Sequence, residues 1–317
     1  MAFRKPSTKK LGLKVLVMGE KGVGKSIFSL SFPEVYALDA ETGMAFYESH
    51  PVYGKNLAGI QNTQDFTEMQ EAMDDMAELE SGTLVIDSET KFYQNLTDAS
   101  LQVEEKKAKK AGKDIMDSAV SMRGWGRIKA VATRLQNLKI DLSAKGINIV
   151  SISQIDDVKQ KVGENFVKVG EKPVMQKGAE YDYDIVIKLY TEELNGDTFY
   201  KGLILKDRTG VTKVNQVIDA PSYDTWKAFL EARSGADTIK STLAQDADKA
   251  KASLEEEDKL AEKTLADRLK EVMSMSPEHQ AKALEAIKLA KIANPLQPKD
   301  AKEIKKLEQI VDTVSAM

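Results

Sequence analysis

A chain of 317 residues with 42% apolar and 30% charged side chains has room for one large domain and a smaller one around sizeable cores. It has no cysteine and only two histidines, His50 and His279, which excludes disulfide frameworks, thiolate metal sites and cysteine nucleophiles and leaves metal chemistry to oxygen ligands. A net charge of −4 gives no global attraction to polyanions, so nucleic-acid affinity would have to come from local basic segments.

Residues 1–11, opening Met1-Ala-Phe-Arg-Lys-Pro-Ser-Thr-Lys-Lys10, form a basic arm. No apolar run behind it is long enough for a signal or a membrane span, so a soluble cytoplasmic protein without a membrane partner is expected. The apolar run at 13–18 predicts a first strand. It leads into Gly19-Glu20-Lys21-Gly22-Val23-Gly24-Lys25-Ser26-Ile27 and a helical stretch, the strand, loop and helix context of a phosphate-binding loop. Glycines let the loop wrap a phosphate closely, and its backbone N–H groups and the helix N-terminus face the anion. Lys25 supplies a point charge and the Ser26 hydroxyl can ligate Mg²⁺. ATP with Mg²⁺ is the expected occupant.

Further short apolar runs at 35–38, 83–86, 147–152 and 185–189 alternate with helical stretches. This predicts an α/β fold, a mainly parallel sheet between helices. Two later runs, 199–205 and 211–218, flank Asp207-Arg-Thr-Gly210 and predict a hairpin that extends the sheet at one edge. The run at 83–86 ends in Asp87, a carboxylate suited to hold Mg²⁺ through water opposite Ser26. Hydrolysis also needs a base for the attacking water. Glu41, in Asp39-Ala-Glu41, and Glu89, two residues beyond Asp87, are both candidates on the residues alone. Trp125, in Arg123-Gly-Trp-Gly126, is expected to be a core anchor rather than a stacking platform.

The chain changes character near Ser234-Gly-Ala-Asp237, which divides an ATPase core at 12–233 from a helical extension at 234–317. A long helix from about 237 to 273, carrying the charge run Glu255-Glu-Glu-Asp258, is expected to lead to two more. One starts at Ser276-Pro277-Glu278 and ends by Asn294-Pro295; the other starts near Pro298-Lys-Asp300. Leu269, Val272, Met273, Leu284, Ile287, Ile304, Leu307, Ile310, Val311 and Val314 are the residues expected to close a small bundle.

Several of these segments, in order across most of residues 12–219, resemble the RecA-like recombinase ATPases. They are the phosphate loop, Asp39-Ala-Glu41, the strand Ile147-Asn-Ile-Val-Ser-Ile-Ser-Gln154, the turn and strand from Gly178 to Leu189, and Lys206-Asp-Arg208. The compact form is similar to phage-encoded RecA-core ATPases of annealing and recombination. The resemblance implies that Glu41 is the base and that Gln154 senses the γ-phosphate. It also implies that Lys206 and Arg208 reach the nucleotide of the next subunit in a homo-oligomeric ring or filament. Lys-Asp-Arg in place of paired lysines, and the lack of an N-terminal oligomerisation segment, leave ring against filament open.

Two loops of that family hold single-stranded DNA, and both corresponding segments here are basic. The first carries Lys106, Lys107, Lys109, Lys110, Lys113 and Arg123; the second carries Lys159, Lys161, Lys168, Lys172 and Lys177 with Phe166 among them. Lysines on phosphates and an aromatic on bases suit sequence-independent strand binding, whereas the bland alternatives are a solvated helix end and a surface hairpin. The function expected is ATP-dependent single-stranded-DNA binding in recombination or annealing, in the host cytoplasm if phage-encoded. A single-strand-binding protein is a further expected partner. The rival readings are a ring-shaped DNA helicase or translocase, and a nucleotide-gated interaction protein without significant turnover.

Overall fold

The computed structural model of the chain describes residues 5–240, 243, 245, 246, 249–253, 265–296 and 301–315. It divides into two compact units, 1–244 and 245–317.

In the first unit, strands β1 (Lys14–Gly19), β2 (Val35–Asp39), β3 (Leu57–Asn62), β4 (Thr83–Asp87), β5 (Asn148–Ser153) and β8 (Ile185–Leu194) run parallel, in the order β3-β2-β4-β5-β1-β8. Beyond β8 the sheet continues antiparallel through β9 (Asp197–Asp207) and β10 (Val217–Asp219). The four parallel runs after the phosphate loop fall on β2, β4, β5 and β8, and apart from Ser151 their buried inner positions are apolar on both faces, as strands covered on both sides require. Helices α1 (Lys25–Leu30) and α5 (Asp224–Glu231) cover one face, where Phe28, Phe32 and Trp226 pack on Val17, Val150 and Ile187. Helices α2 (Phe66–Ala77), α3 (Glu89–Lys110) and α4 (Met122–Lys145) cover the other, where Met69, Met73, Phe92 and Leu135 meet Leu38, Ile86 and Ile149. This is the expected α/β fold, a mainly parallel sheet between helices.

Three strand features differ from expectation. Edge strand β3 lacks a run of β-branched residues and gave no signal. The hairpin at the sheet's far side is chiefly β8–β9, turned by Asn195-Gly196 with both residues at positive φ (55° and 88°), an Asn-Gly hairpin turn. The strand expected at 211–218 shrinks to β10, because Asp207 curls the chain ahead of it. Its carboxylate accepts hydrogen bonds from the backbone N–H and hydroxyl of both Thr209 and Thr212, and from Trp226 Nε1.

Trp226, fully buried, is the core tryptophan. Trp125 is 46% exposed, against expectation. Its neighbour Gly124 is the residue that seats α4 on α3: a β-carbon there would come within 2.7 Å of Ser100 Oγ, and the helical step turns Trp125 outward.

A separate two-stranded sheet, β6 (Ile155–Val162) and β7 (Asn165–Pro173), leaves the end of β5 as an exposed hairpin.

Residues 237–240 are not helical; they run along the first unit, with Lys10 N–H on the Asp237 carbonyl and Ile239 N–H on that of Ala144. The expected long helix therefore does not start at Asp237. Its charge run at 255–258 lies outside the described residues, as does the expected start at 298–300. The second unit packs α6 (Leu265–Met275), α7 (Pro277–Leu289) and α8 (Ala301–Ser315) around Leu269, Val272, Ile287, Leu307, Ile310, Val311 and Val314. Ser276 caps α7 by accepting the His279 N–H at 3.2 Å ahead of Pro277. Leu284 and Ile304, expected in this core, are exposed, and the smaller Ala283 is fully buried at the helix contact.

Candidate active site

The loop between β1 and α1 is shaped by its glycines. Gly22 and Gly24 take positive φ (77° and 86°), and a β-carbon on Gly19 would lie 2.5 Å from the Leu189 carbonyl oxygen. The loop lines a cleft of about 580 Å³ with Glu20, Lys21, Lys25, Ser26 and Ile27; Val23 turns its side chain into the core. The opposite wall holds Glu41, Gly43, Tyr47, Asp87, Ser88, Ile152, Gln154 and Ile155. All of these lie at or just beyond the C-terminal ends of parallel strands, where open α/β sheets bind ligands.

Lys25 Nζ donates to the carbonyl oxygens of Gly19 (3.0 Å) and Glu20 (2.6 Å), across the loop it serves. Burial holds its pKa below the ordinary lysine value, while Asp87, Glu41 and Glu20 pull the other way. Ser26 Oγ donates to Asp87 Oδ2 at 2.7 Å. Burial pushes the Asp87 carboxyl up to about 6, against the Ser26 hydrogen bond, and the charges of Glu41 and Asp39 add to the push. A carboxylate short of positive charge, touching a hydroxyl, fits Mg²⁺, which takes one or two protein oxygens and completes its shell with phosphates and water. Among the described residues no cluster of three or more His, Asp or Glu forms a metal cage.

The two candidate bases part company. Glu41 lies on the cleft wall and accepts a hydrogen bond from Ser88 Oγ at 2.7 Å. Its loop is set by Asp39, whose buried carboxylate accepts the backbone N–H groups of Glu41, Gly43 and Met44. Glu89 points instead into the core, paired with Lys139 and hydrogen bonded by Gln136 and Tyr183. Burial opposes the Lys139 charge, but Glu89 and Tyr183 outweigh it and the ammonium is held above its ordinary value; Tyr183 is pushed up to about 12.

Gln154 follows β5 in the cleft wall and leads directly into β6. Lys206 and Arg208 do not line the cleft: at the end of β9 both donate to the Tyr181 carbonyl, and Arg208 also pairs with Asp184.

The two basic segments differ in reach. Lys106, Lys107, Lys109 and Lys110 occupy the last turns of α3, with Lys107 paired to Glu104, and about 27 Å of helix separates them from Glu89. Lys113 follows in an exposed turn, and Arg123 opens α4 beside a groove with Leu96 and Val103. The hairpin register pairs Lys161 with Phe166 and Lys159 with Lys168, so strand alternation gathers these four side chains on one face. Lys168 is held by Asp157 and Glu171, both at 2.7 Å, and Lys172 by Asp156. Lys159, Lys161 and Lys177 make no ion pair among the described residues, and Phe166 is 68% exposed.

The motifs did not reveal Asp39, Ser88 or Tyr47. Nor did they reveal a recess of about 290 Å³ beside the loop, lined by Tyr53, Leu189 and Tyr200 among others. Only Asp39, a strand-end acid before a Gly-containing turn, carried a local signal.

Fold and cleft together define an α/β domain with a P-loop suited to a nucleotide. The sequence profile of the AAA domain family matches residues 11–228, and the chain belongs to that family. No curated protein sequence matches it. Among solved structures it is similar to the crystal structure of the RadB recombinase, with 15% identity and a TM-score of 0.40 over 67% of this chain and 87% of the other. Among the described residues no helix is long and apolar enough to cross a membrane.

Proposed function

We propose that the protein hydrolyses ATP with Mg²⁺ and couples the nucleotide to binding of single-stranded DNA in recombination or strand annealing, working as a homo-oligomer. The observation that carries this reading is Gln154: it faces the nucleotide cleft and is the last residue before a hairpin whose one face bears Lys159, Lys161, Phe166 and Lys168. Lys25 and the loop amides would hold the β- and γ-phosphates. Ser26 and Asp87 would hold Mg²⁺, which would supply positive charge to offset that building on the phosphates.

Glu41 is the favoured base. It is exposed to the cleft and kept in place by Ser88, whereas Glu89 is committed to a buried ion pair. Lys206 and Arg208, outside the chain's own cleft, suit a role across a subunit interface, where positive charge would stabilise the transition state only on assembly. The ordered series of recombinase-like segments along the chain favours recombination over other uses of the same core.

The test is the rate of ATP hydrolysis with and without single-stranded DNA. Stimulation by the strand, with no ATP-driven unwinding of a forked duplex, is the expected result. Unwinding would assign the protein to the helicases, and turnover indifferent to DNA with no strand binding would sink the reading.

A further inference from the structure

The three residues after Asp87 reach three different parts of the molecule. Ser88 bonds Glu41, Glu89 pairs with Lys139, and Thr90 turns to the root of the hairpin. Thr90 is fully buried. Its hydroxyl donates to the Val174 carbonyl at 2.9 Å, accepts the Gln154 N–H at 3.0 Å, and lies 3.2 Å from Ser153 Oγ. Gln154 precedes β6 and Val174 follows β7, so one hydroxyl grips both legs of the hairpin. The legs are also joined to each other, Val174 N–H donating to the Gln154 carbonyl at 2.9 Å.

We propose that Thr90 is the positioning residue that transmits the state of the nucleotide cleft to the hairpin. The inference rests on the proposed nucleotide-coupled function. Ser88, the residue after Asp87, is the N-cap of α3 and Thr90 lies in the first turn, so a displacement of Asp87 or Ser88 by bound nucleotide carries Thr90 with it. A hydroxyl has one proton to donate and two lone pairs, and here they are directed to both strands of one rigid ribbon. The hairpin then moves as a unit rather than fraying at one leg. Leaving the Gln154 N–H and Val174 carbonyl without this partner uncouples the ribbon from the turn while the cleft side chains keep their own bonds.

The experiment uses the full chain as wild type, Thr90→Val, which keeps the shape without the hydroxyl, and Thr90→Ser, which keeps the hydroxyl. Hydrogen exchange of the amides at 155–173 and the affinity for fluorescent oligo-dT are measured with and without Mg²⁺ and a non-hydrolysable ATP analogue. In the wild type, nucleotide is expected to change hairpin exchange and raise strand affinity by about 5-fold or more, a usual coupling size. Thr90→Val is expected to bind nucleotide and, in its absence, oligo-dT as the wild type does, yet lose both responses; Thr90→Ser is expected to keep them. Thr90→Ala, which gives water access to the Gln154 N–H, should behave like Thr90→Val and replaces it if that variant does not fold.

A full response in the hydroxyl-free variants, or its loss in Thr90→Ser as well, overturns the assignment. So does a wild-type hairpin that ignores bound nucleotide. A hairpin that responds to nucleotide through Thr90 but never binds oligo-dT upholds the positioning role and rejects the DNA reading.

Discussion

The phosphate cleft and the β6–β7 hairpin share a residue boundary at Gln154 and are built on opposite terms. In the cleft the acidic side chains are held in place: Ser26 on Asp87, Ser88 on Glu41, and three backbone N–H groups on Asp39. The hairpin has no core of its own, and Val158, Val162, Phe166, Val167 and Val169 are all exposed. A cleft that stabilises charge must be preorganised, since any reorganisation at the moment of reaction adds to the barrier. A surface that follows a flexible polyanion gains more from long side chains free to adjust, and regions of low local stability are where ligand-responsive motion is found.

The largest break in this comparison is Lys25→Ala. Removing the ammonium that spans the loop is expected to abolish nucleotide binding and turnover, read by titration with a fluorescent nucleotide, and to leave oligo-dT binding without nucleotide intact.

Next comes the contrast between the two glutamates. Glu41→Gln is expected to keep nucleotide binding and lose hydrolysis by about 10²-fold or more, because an amide does not take the water proton. Glu89→Gln should act on stability instead, costing about 3–5 kcal/mol in a denaturant titration by leaving the buried Lys139 without its counter-charge. Should Glu89→Gln fold normally and stop hydrolysis while Glu41→Gln does not, the two glutamates exchange roles.

Arg208→Ala is expected to depress hydrolysis with nucleotide binding unchanged. Mixing it with Glu41→Gln subunits should restore part of the rate at interfaces pairing an intact Glu41 with an intact Arg208. Absence of any recovery in confirmed mixed assemblies would return Arg208 to its own subunit.

The smallest effects belong to the hairpin. Lys159→Ala with Lys161→Ala should weaken oligonucleotide binding for all base compositions and flatten the salt dependence of log K by about 0.7 per lost contact. Lys168→Ala should do less, because Asp157 and Glu171 already claim that ammonium. Equal slopes for all three lysines would contradict this division into paired and unpaired ammonium groups.

How legible each region was follows from the same contrast. The loop's glycines, Lys25 and Ser26 carry their geometry in a short stretch, and Asp87 closes an apolar run, so local sequence points at them directly. Glu41 against Glu89 stayed open because the deciding partner, Lys139, is 50 residues away from Glu89 in sequence. Thr90 is silent for the same reason: its bonds are to Gln154 and Val174. Trp125 misled because a tryptophan at a helix start is usually placed by its own bulk, and here Gly124 sets the packing. The hairpin's lysine pattern was visible, but which lysines are already paired depends on register and on the bulge between Val158 and Lys159.

Strand β9 has one more implication. Near its start Tyr200 packs on the phosphate loop, close enough that a β-carbon on Gly24 would sit 3.5 Å from the ring. Six residues on is Lys206, about 20 Å away along an extended strand. In an assembly of the proposed kind, this strand is a spacer of set length with one end on the chain's own nucleotide loop and the other directed at its neighbour's. The pitch between successive nucleotides would then be written into a single strand, and inserting or deleting two residues within it should change the subunit repeat while preserving which side chains face each way.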